Sequence, residues 1–414
     1  MISLPDTNTL MAKPSADGRI AFFPSENTDL LKIDWLFEAG SAYQQQPLCA
    51  SAASKLYTLA TANSPSTAVA EFFDFRGVIL ETNCDVYQST LTLYMLRRHA
   101  EEVLPMIEEM FSRPAFSEDD YKVWQSKRYE EISTLEHRTA PMARRQFYQS
   151  LFGERHPLGR YATPQDVQKL QLATIKDFWH RHYDLGCCRI VAAGAVDERL
   201  NVLLHKPESF NAPMREYGSI DASTTDSLIR PQALHYSIKD ATQTSLRIGR
   251  ILPVAWDSMD YARFIILTTL LGGYFGSRLM ANIREDKGLT YGIYARTQIY
   301  RGAIVFYITA DVAGGMADKA VQEVLNELRR LADERVGEDE LALVKNVLVG
   351  DFLRSVDGVF ELSTRYCDML ANGVDERLTD NLRRAVNETT ATELQELAQR
   401  LLRVEDMTVC TAGV

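Results

Sequence analysis

Two apolar strand endings 219 positions apart constrain this chain more than any other feature: Ala193-Gly194 within Arg189 to Val196, and Ala412-Gly413 within Met407 to Val414. A second marker agrees. The acidic helix starts Ser117-Glu118-Asp119-Asp120 and Gly337-Glu338-Asp339-Glu340 place Glu118 and Glu338 220 apart. Each follows a segment with apolar residues three and four apart, as an amphipathic helix requires: Ala100, Val103, Leu104, Ile107, Met110 and Phe111, then Val321, Val324, Leu325, Leu328 and Leu331. Alternating strands precede both, Ser89 to Leu96 and Ala303 to Ala310. The pattern predicts an α+β fold, a tandem duplication of two similar α/β-sandwich-like halves with mostly antiparallel sheets. A parallel sheet would show regular strand-helix alternation, which is missing.

A chain of 414 residues exceeds the size at which one core stops growing. The expected division is residues 1–205, a linker at 206–230, and residues 231–414. The linker carries Pro207, Pro213, Gly218 and the polar run Ser219 to Ser227, poor in core residues. With 45 Lys and Arg against 56 Asp and Glu, the net charge is −11, which argues against a nucleic-acid binder. The six cysteines form no Cys-x-x-Cys pair, and residues such as Cys187 and Cys188 read as buried thiols of a reducing compartment. Neither a basic leader with an apolar run nor a membrane-length stretch is visible, so the chain as given is expected to be cytoplasmic, with no membrane partner.

One stretch carries chemistry. Arg284 and Tyr291 flank Gly288, where a turn would bring a permanently charged guanidinium and a phenolic hydroxyl toward one site. Such donors can hold an amide carbonyl as it becomes an oxyanion. Upstream, Gly272, Gly273 and Gly276 either form a left-handed turn or let a substrate backbone approach closely. Spacing alone also allows a plain reading, in which Arg284 pairs with a neighbouring acid and Tyr291 is a half-buried strand residue. The seven histidines include no pair four apart, as helix-borne zinc ligands require. His180 and His182, two apart, point to different faces of a helix and have no evident third ligand.

These residues resemble the M16 metallopeptidases, the insulinase-like and mitochondrial processing peptidase-like family. The likeness is strongest from Leu271 to Ala295, with its glycine-rich turn, Ser277-Arg278-Leu279, Arg284-Glu285, Gly288-Leu289 and Tyr291. It extends to Phe37 to Ser41, His156 to Arg160 and Phe178 to Asp184. The resemblance implies the LuxS/MPP-like metallohydrolase fold. Where the family carries His-x-x-Glu-His, this chain reads Ala50 to Leu59, with Ala53, Leu56 and Tyr57 near the ligand positions. The resemblance implies Glu130 or Glu131 as the remnant of the third ligand, and no metal is expected in this chain.

The resemblance therefore implies a non-catalytic subunit of a heterodimeric M16-type zinc peptidase, inactive alone. Zinc would reside in a zinc-bearing partner subunit, and Arg284 and Tyr291 would serve that site in trans on an extended peptide substrate. The alternative is an inactive scaffold, like the core subunits of respiratory complexes that share the fold. An active homodimeric hydrolase is a weaker alternative, because no Ser-His or Cys-His arrangement is visible.

Overall fold

A computed structural model describes residue 4 and residues 12–15, 18–205 and 231–414. The expected join, Lys206 to Arg230, lies outside the described residues. The first sheet orders its strands Lys13–Pro14, Ile20–Pro24, Arg189–Gly194, Leu30–Phe37, Ser89–Leu96 and Ile79–Cys84. The second orders Ala233–Ser237, Thr408–Gly413, Gln243–Ile251, Ala303–Ala313 and Thr290–Tyr300. Apart from the short first strand, the two orders correspond strand for strand. Each sheet holds one parallel pair, formed where its last strand in sequence inserts beside an early one, and all other pairs are antiparallel. The protein is an α+β fold built of two similar halves.

The repeat markers have a physical basis. Gly194 and Gly413 end the two inserted strands with φ of +98° and +148°, values that L side chains rarely adopt. A Cβ on Gly194 would lie 2.1 Å from the Leu30 carbonyl oxygen, and one on Gly413 2.5 Å from that of Gln243. Leu30 and Gln243 begin corresponding strands, so the same close approach demands glycine in both halves. The acidic starts open helices Glu118–Leu135 and Glu338–Ser355, where carboxylates suit the positive end of the helix dipole. Ser117 Oγ caps the first by accepting from the Asp120 N–H at 3.0 Å, whereas Gly337 offers the second no side-chain cap.

Each half keeps its own core. Leu91, Leu93 and Met95 turn inward from their strand against helix Ala100–Ser112, whose six predicted apolar positions are all buried. In the other half Ile304, Phe306 and Ile308 meet Val324, Leu328 and Leu331 of helix Ala317–Asp333. Burying each such side chain contributes about 1.5–3 kcal/mol.

The open sheet faces are covered by exchange, which the sequence did not announce. Helix Thr139–Phe152 of the first half packs on strands Gln243–Ile251 and Thr408–Gly413 of the second sheet. Helix Val359–Asn372, also 14 residues and starting 220 positions later, packs on Ile20–Pro24 and Arg189–Gly194 of the first sheet. A bidentate ion pair crosses beside it, with Arg301 donating to the two Glu38 carboxylate oxygens at 2.6 and 2.7 Å. Tyr43 also donates to Glu38, and Arg301 Nε donates to the Ala371 carbonyl at 3.0 Å. Burial works against the Arg301 charge, but its bonds to Glu38 outweigh that and hold its pKa above the ordinary value. No helix among the described residues is long and apolar enough to cross a membrane.

Because the pair is three-quarters buried, Glu38→Gln should cost about 1.5–3 kcal/mol, the range for a charged hydrogen bond. Arg403→Ala, which breaks an exposed pair with Glu405, should cost about 0–1 kcal/mol. Chemical denaturation of both variants checks the ordering, and equal midpoints would refute the cross-half role of Glu38.

Candidate functional site

Arg284 lies on Met280–Asp286, a helix wound with i→i+5 hydrogen bonds such as Lys287 N–H to the Asn282 carbonyl at 3.1 Å. Such turns are rare and often mark functional positions. Gly288, with φ of +62°, reverses the chain into strand Thr290–Tyr300. The first residues of that strand form a β-bulge: Thr290 pairs with Val312 and Ile293 with Ala310, leaving Tyr291 and Gly292 opposite Asp311 alone. Thr290 Oγ1 closes the bulge by donating to the Asp311 carbonyl at 2.6 Å and accepting from the Gly292 N–H at 3.2 Å. A bulge re-aims a side chain. Here it leaves Tyr291 91% exposed, the most exposed large aromatic or aliphatic side chain among the described residues.

The plain alternative for Arg284 does not hold. Among the described residues it has no acidic partner, and its guanidinium stands 4.5 Å from the centre of the Phe275 ring, itself 63% exposed. Phe275 belongs to the glycine-rich segment, which is thereby tied to Arg284. No hydrogen bond or ring contact joins Arg284 to Tyr291. The three glycines have no left-handed φ, so the left-handed turn does not form. Gly272 is buried, and a Cβ there would meet the Ala295 backbone nitrogen at 2.5 Å, which gives it a packing reason. Gly273 and Gly276 are exposed.

At the degenerate zinc motif, helix Cys49–Leu56 turns Ala53 and Leu56 into the core, with Tyr57 just beyond it. Tyr57 stacks on Phe111 and packs against Trp179 and Tyr183, and burial holds its hydroxyl far above its usual pKa. The face open to a cavity of about 530 Å³ is instead Ser51, Ser54 and Lys55, opposite Glu131. The register that faces the third-ligand remnant is thus shifted from the one read in sequence. Helix packing decides the shift, and no periodicity in an alanine-rich stretch could reveal it.

These residues do not fit zinc. Two hydroxyls and an ammonium, from Ser51, Ser54 and Lys55, offer neither imidazole nor carboxylate, and Glu131 is engaged by Arg128 at 3.1 Å. Among the described residues no group of three His, Cys, Asp or Glu could hold a metal. His182 turns inward, its Nδ1 3.2 Å from the Glu38 carbonyl and its pKa lowered by burial, while His180 is exposed. Cys84, also lining the cavity, is pushed up to about 12 by burial, with Asp85 adding to the shift.

Comparison with known proteins agrees with this geometry. Residues 169–348 match the family model described as the Peptidase M16 inactive domain. Over 344 residues the chain is 22% identical to a non-peptidase homolog, YmxG, of Helicobacter pylori, covering 82% of this chain and 78% of that one. Over 262 residues it is 28% identical to an uncharacterized zinc protease of Mycobacterium leprae, spanning 62% of this chain but only 58% of the relative. The crystal structure of a peptidase M16 inactive domain from Pseudomonas fluorescens superposes with a TM-score of 0.82 at 20% identity, covering 97% of this chain and 98% of that one. The chain is thus similar to M16 peptidase inactive domains, in sequence over residues 169–348 and in fold over nearly its whole length, and Ala50 to Leu59 carries no His-x-x-Glu-His.

Two outcomes are expected of the full chain. After dialysis, elemental analysis should find far less than one zinc per chain, and stoichiometric zinc would contradict the site described. Native Cys84 should react with a neutral alkylating agent at pH 8 on the order of a thousandfold more slowly than in the unfolded chain, because only the thiolate reacts. Mass spectrometry of the Cys84 peptide reads that difference, which closes as the pH approaches 12.

Proposed function

We propose that this chain is the non-catalytic subunit of an M16-type zinc peptidase, with residues 1–205 and 231–414 as its two domains joined through 206–230. A zinc-bearing partner subunit would supply the metal and its activated water. Arg284 and Tyr291 would bind the carbonyl of an extended peptide presented to that partner. The observation that carries the reading is the bulge that holds Tyr291 in solvent, seven residues after an arginine with no acidic partner among the described residues. A structural role would have paired the charge and buried the ring.

Strand Thr290–Tyr300 supports the same reading, because it is an edge strand of its sheet. An extended peptide can add to such an edge through main-chain hydrogen bonds, which demand little of its sequence. Gly273 and Gly276, exposed in the segment tied to Arg284 through Phe275, would let the substrate backbone approach. The cytoplasm remains the proposed compartment, and the six free thiols accord with it.

In the complex recovered with the native partner, Tyr291→Phe should leave assembly unchanged and lower peptide turnover. Loss of one donor to a developing oxyanion costs about 2.7–4 kcal/mol, or roughly a hundred- to a thousandfold in rate. Arg284→Ala should do the same, although it also removes the stem packed on Phe275. Size-exclusion chromatography reads assembly and a peptide assay reads turnover. Wild-type turnover in both assembled variants would leave only a scaffold role.

A further inference from the structure

Adjoining the cavity of the degenerate zinc helix and sharing Arg128 with it, a second cavity of about 470 Å³ opens where helix Thr139–Phe152 meets the second sheet. Its lining includes Arg128, Arg138, Arg144, Arg145 and Arg247, with Glu136 as the one carboxylate. Arg128 is engaged by Glu131. Among the described residues the other four make no ion pair. Arg247 lies 4.3 Å from the centre of the Tyr307 ring, and Arg144 and Arg145 lie near Tyr148 and Tyr161 at 5.7 and 5.9 Å. Aromatic faces orient a guanidinium without neutralising it. In a chain of net charge −11, four unpaired arginines around one hollow are not a consequence of composition.

The duplication supplies an internal control. Asp34 stands opposite Val191 in the first sheet, and Arg247 stands opposite Cys410 at the matching place in the second. Asp34 is fully provided for by its own chain: Lys32 Nζ lies 3.0 Å away, both groups are buried, and Thr92 donates at 2.6 Å. The corresponding position in the second half carries a charge with no counterion. Arg145 and Arg247 are half-buried, and partly desolvating a cation without a counterion is costly, so the arrangement suits an external anion.

We infer that this arginine-lined cavity binds a carboxylate carried by a peptide, from an acidic side chain or from the C-terminus. The inference rests on the peptide-holding reading above and adds a substrate class to it. Leu135, Pro141 and Met142 form an apolar wall that suits a peptide better than a bare inorganic anion. Arg247 pairs across the sheet with Thr309, and Thr309 with Tyr294 on the edge strand. A peptide added beyond that edge lies about three strand spacings, ~14 Å, from Arg247, which about four or five extended residues span.

Calorimetric titration of the full chain with three short peptides tests this: a neutral peptide blocked at both ends, the same peptide with one glutamate, and the neutral peptide with a free C-terminus. At least one carboxylate-bearing peptide should bind about tenfold to a hundredfold more tightly than the blocked neutral one, as charge-assisted hydrogen bonds allow. The arm that gains identifies the source of the carboxylate. Arg247→Gln should abolish the gain. Arg144→Gln, on an exposed helix position, should do so as well and serves if the first variant folds poorly. Equal affinities, a gain that survives both substitutions, or binding of inorganic tripolyphosphate with no peptide binding would each overturn the inference. If the neutral peptide fails to bind while the glutamate peptide binds and needs Arg247, the inference stands and only the strand-addition part of the earlier reading falls.

Discussion

The exchange of helices between the halves is the constraint on which the rest of this structure depends. A sheet covered by helices on one face leaves its other face needing cover, and each half here supplies the helix its neighbour lacks. Phe147, Tyr148 and Leu151 close over Val305 and Cys410, while Phe360, Tyr366 and Leu370 close over Phe23, Val191 and Ala193. The Glu38–Arg301 pair and the Tyr148–Tyr300 hydrogen bond at 2.9 Å fix how the two meet.

That exchange also determines what stays open. Helix Thr139–Phe152 packs mainly on the inner strands of the second sheet and touches its edge strand at Tyr300, and no described strand pairs with the outward ladder of Thr290–Tyr300. An unprotected edge invites aggregation unless it is blunted or used. This one is blunted only locally, by the bulge at Tyr291 and Gly292 that twists its start. The rest of the edge carries Tyr294 and Arg296, the guanidinium 5.7 Å from the ring centre, a surface suited to a polar peptide backbone and its side chains.

Much of this was legible in the sequence where local chemistry fixes the outcome. The strand Ser89 to Leu96 and the helix positions from Ala100 to Phe111 were read residue for residue, because alternation and three-four spacing report directly on which face is buried. The Ala-Gly steps were legible because a close approach to a backbone carbonyl leaves no other residue possible. The helix exchange was not, since Thr139–Phe152 packs against strands about a hundred residues away or more, and nothing local to it names that partner. The bulge at Tyr291 and the wide helical turn at Arg284 escaped for a related reason: both arise from register between neighbouring elements. The glycines near Gly272 were open to two readings, and contact with Ala295 supplies a third, helix against strand.

Helix Cys49–Leu56 shows that the fold is kept without metal ligands at this place. A metal-binding helix must keep polar ligands partly exposed beside an open coordination position, at some expense to packing. Ala50, Ala52 and Ala53 are instead completely buried, and Tyr57 fills the adjoining space against three aromatic rings. Ser54 and Tyr183 satisfy one another through Ser89, at 2.9 and 2.7 Å, so the remaining polar groups there are spent on the protein itself. Restoring histidines would require reopening that packing and freeing Glu131 from Arg128. The second half shows the opposite economy, because Arg284, Tyr291 and Arg247 remain unspent within the chain. Folding alone favours pairing or burying such groups, so three of them left unpaired in the second half are the physical reason to seek the activity there.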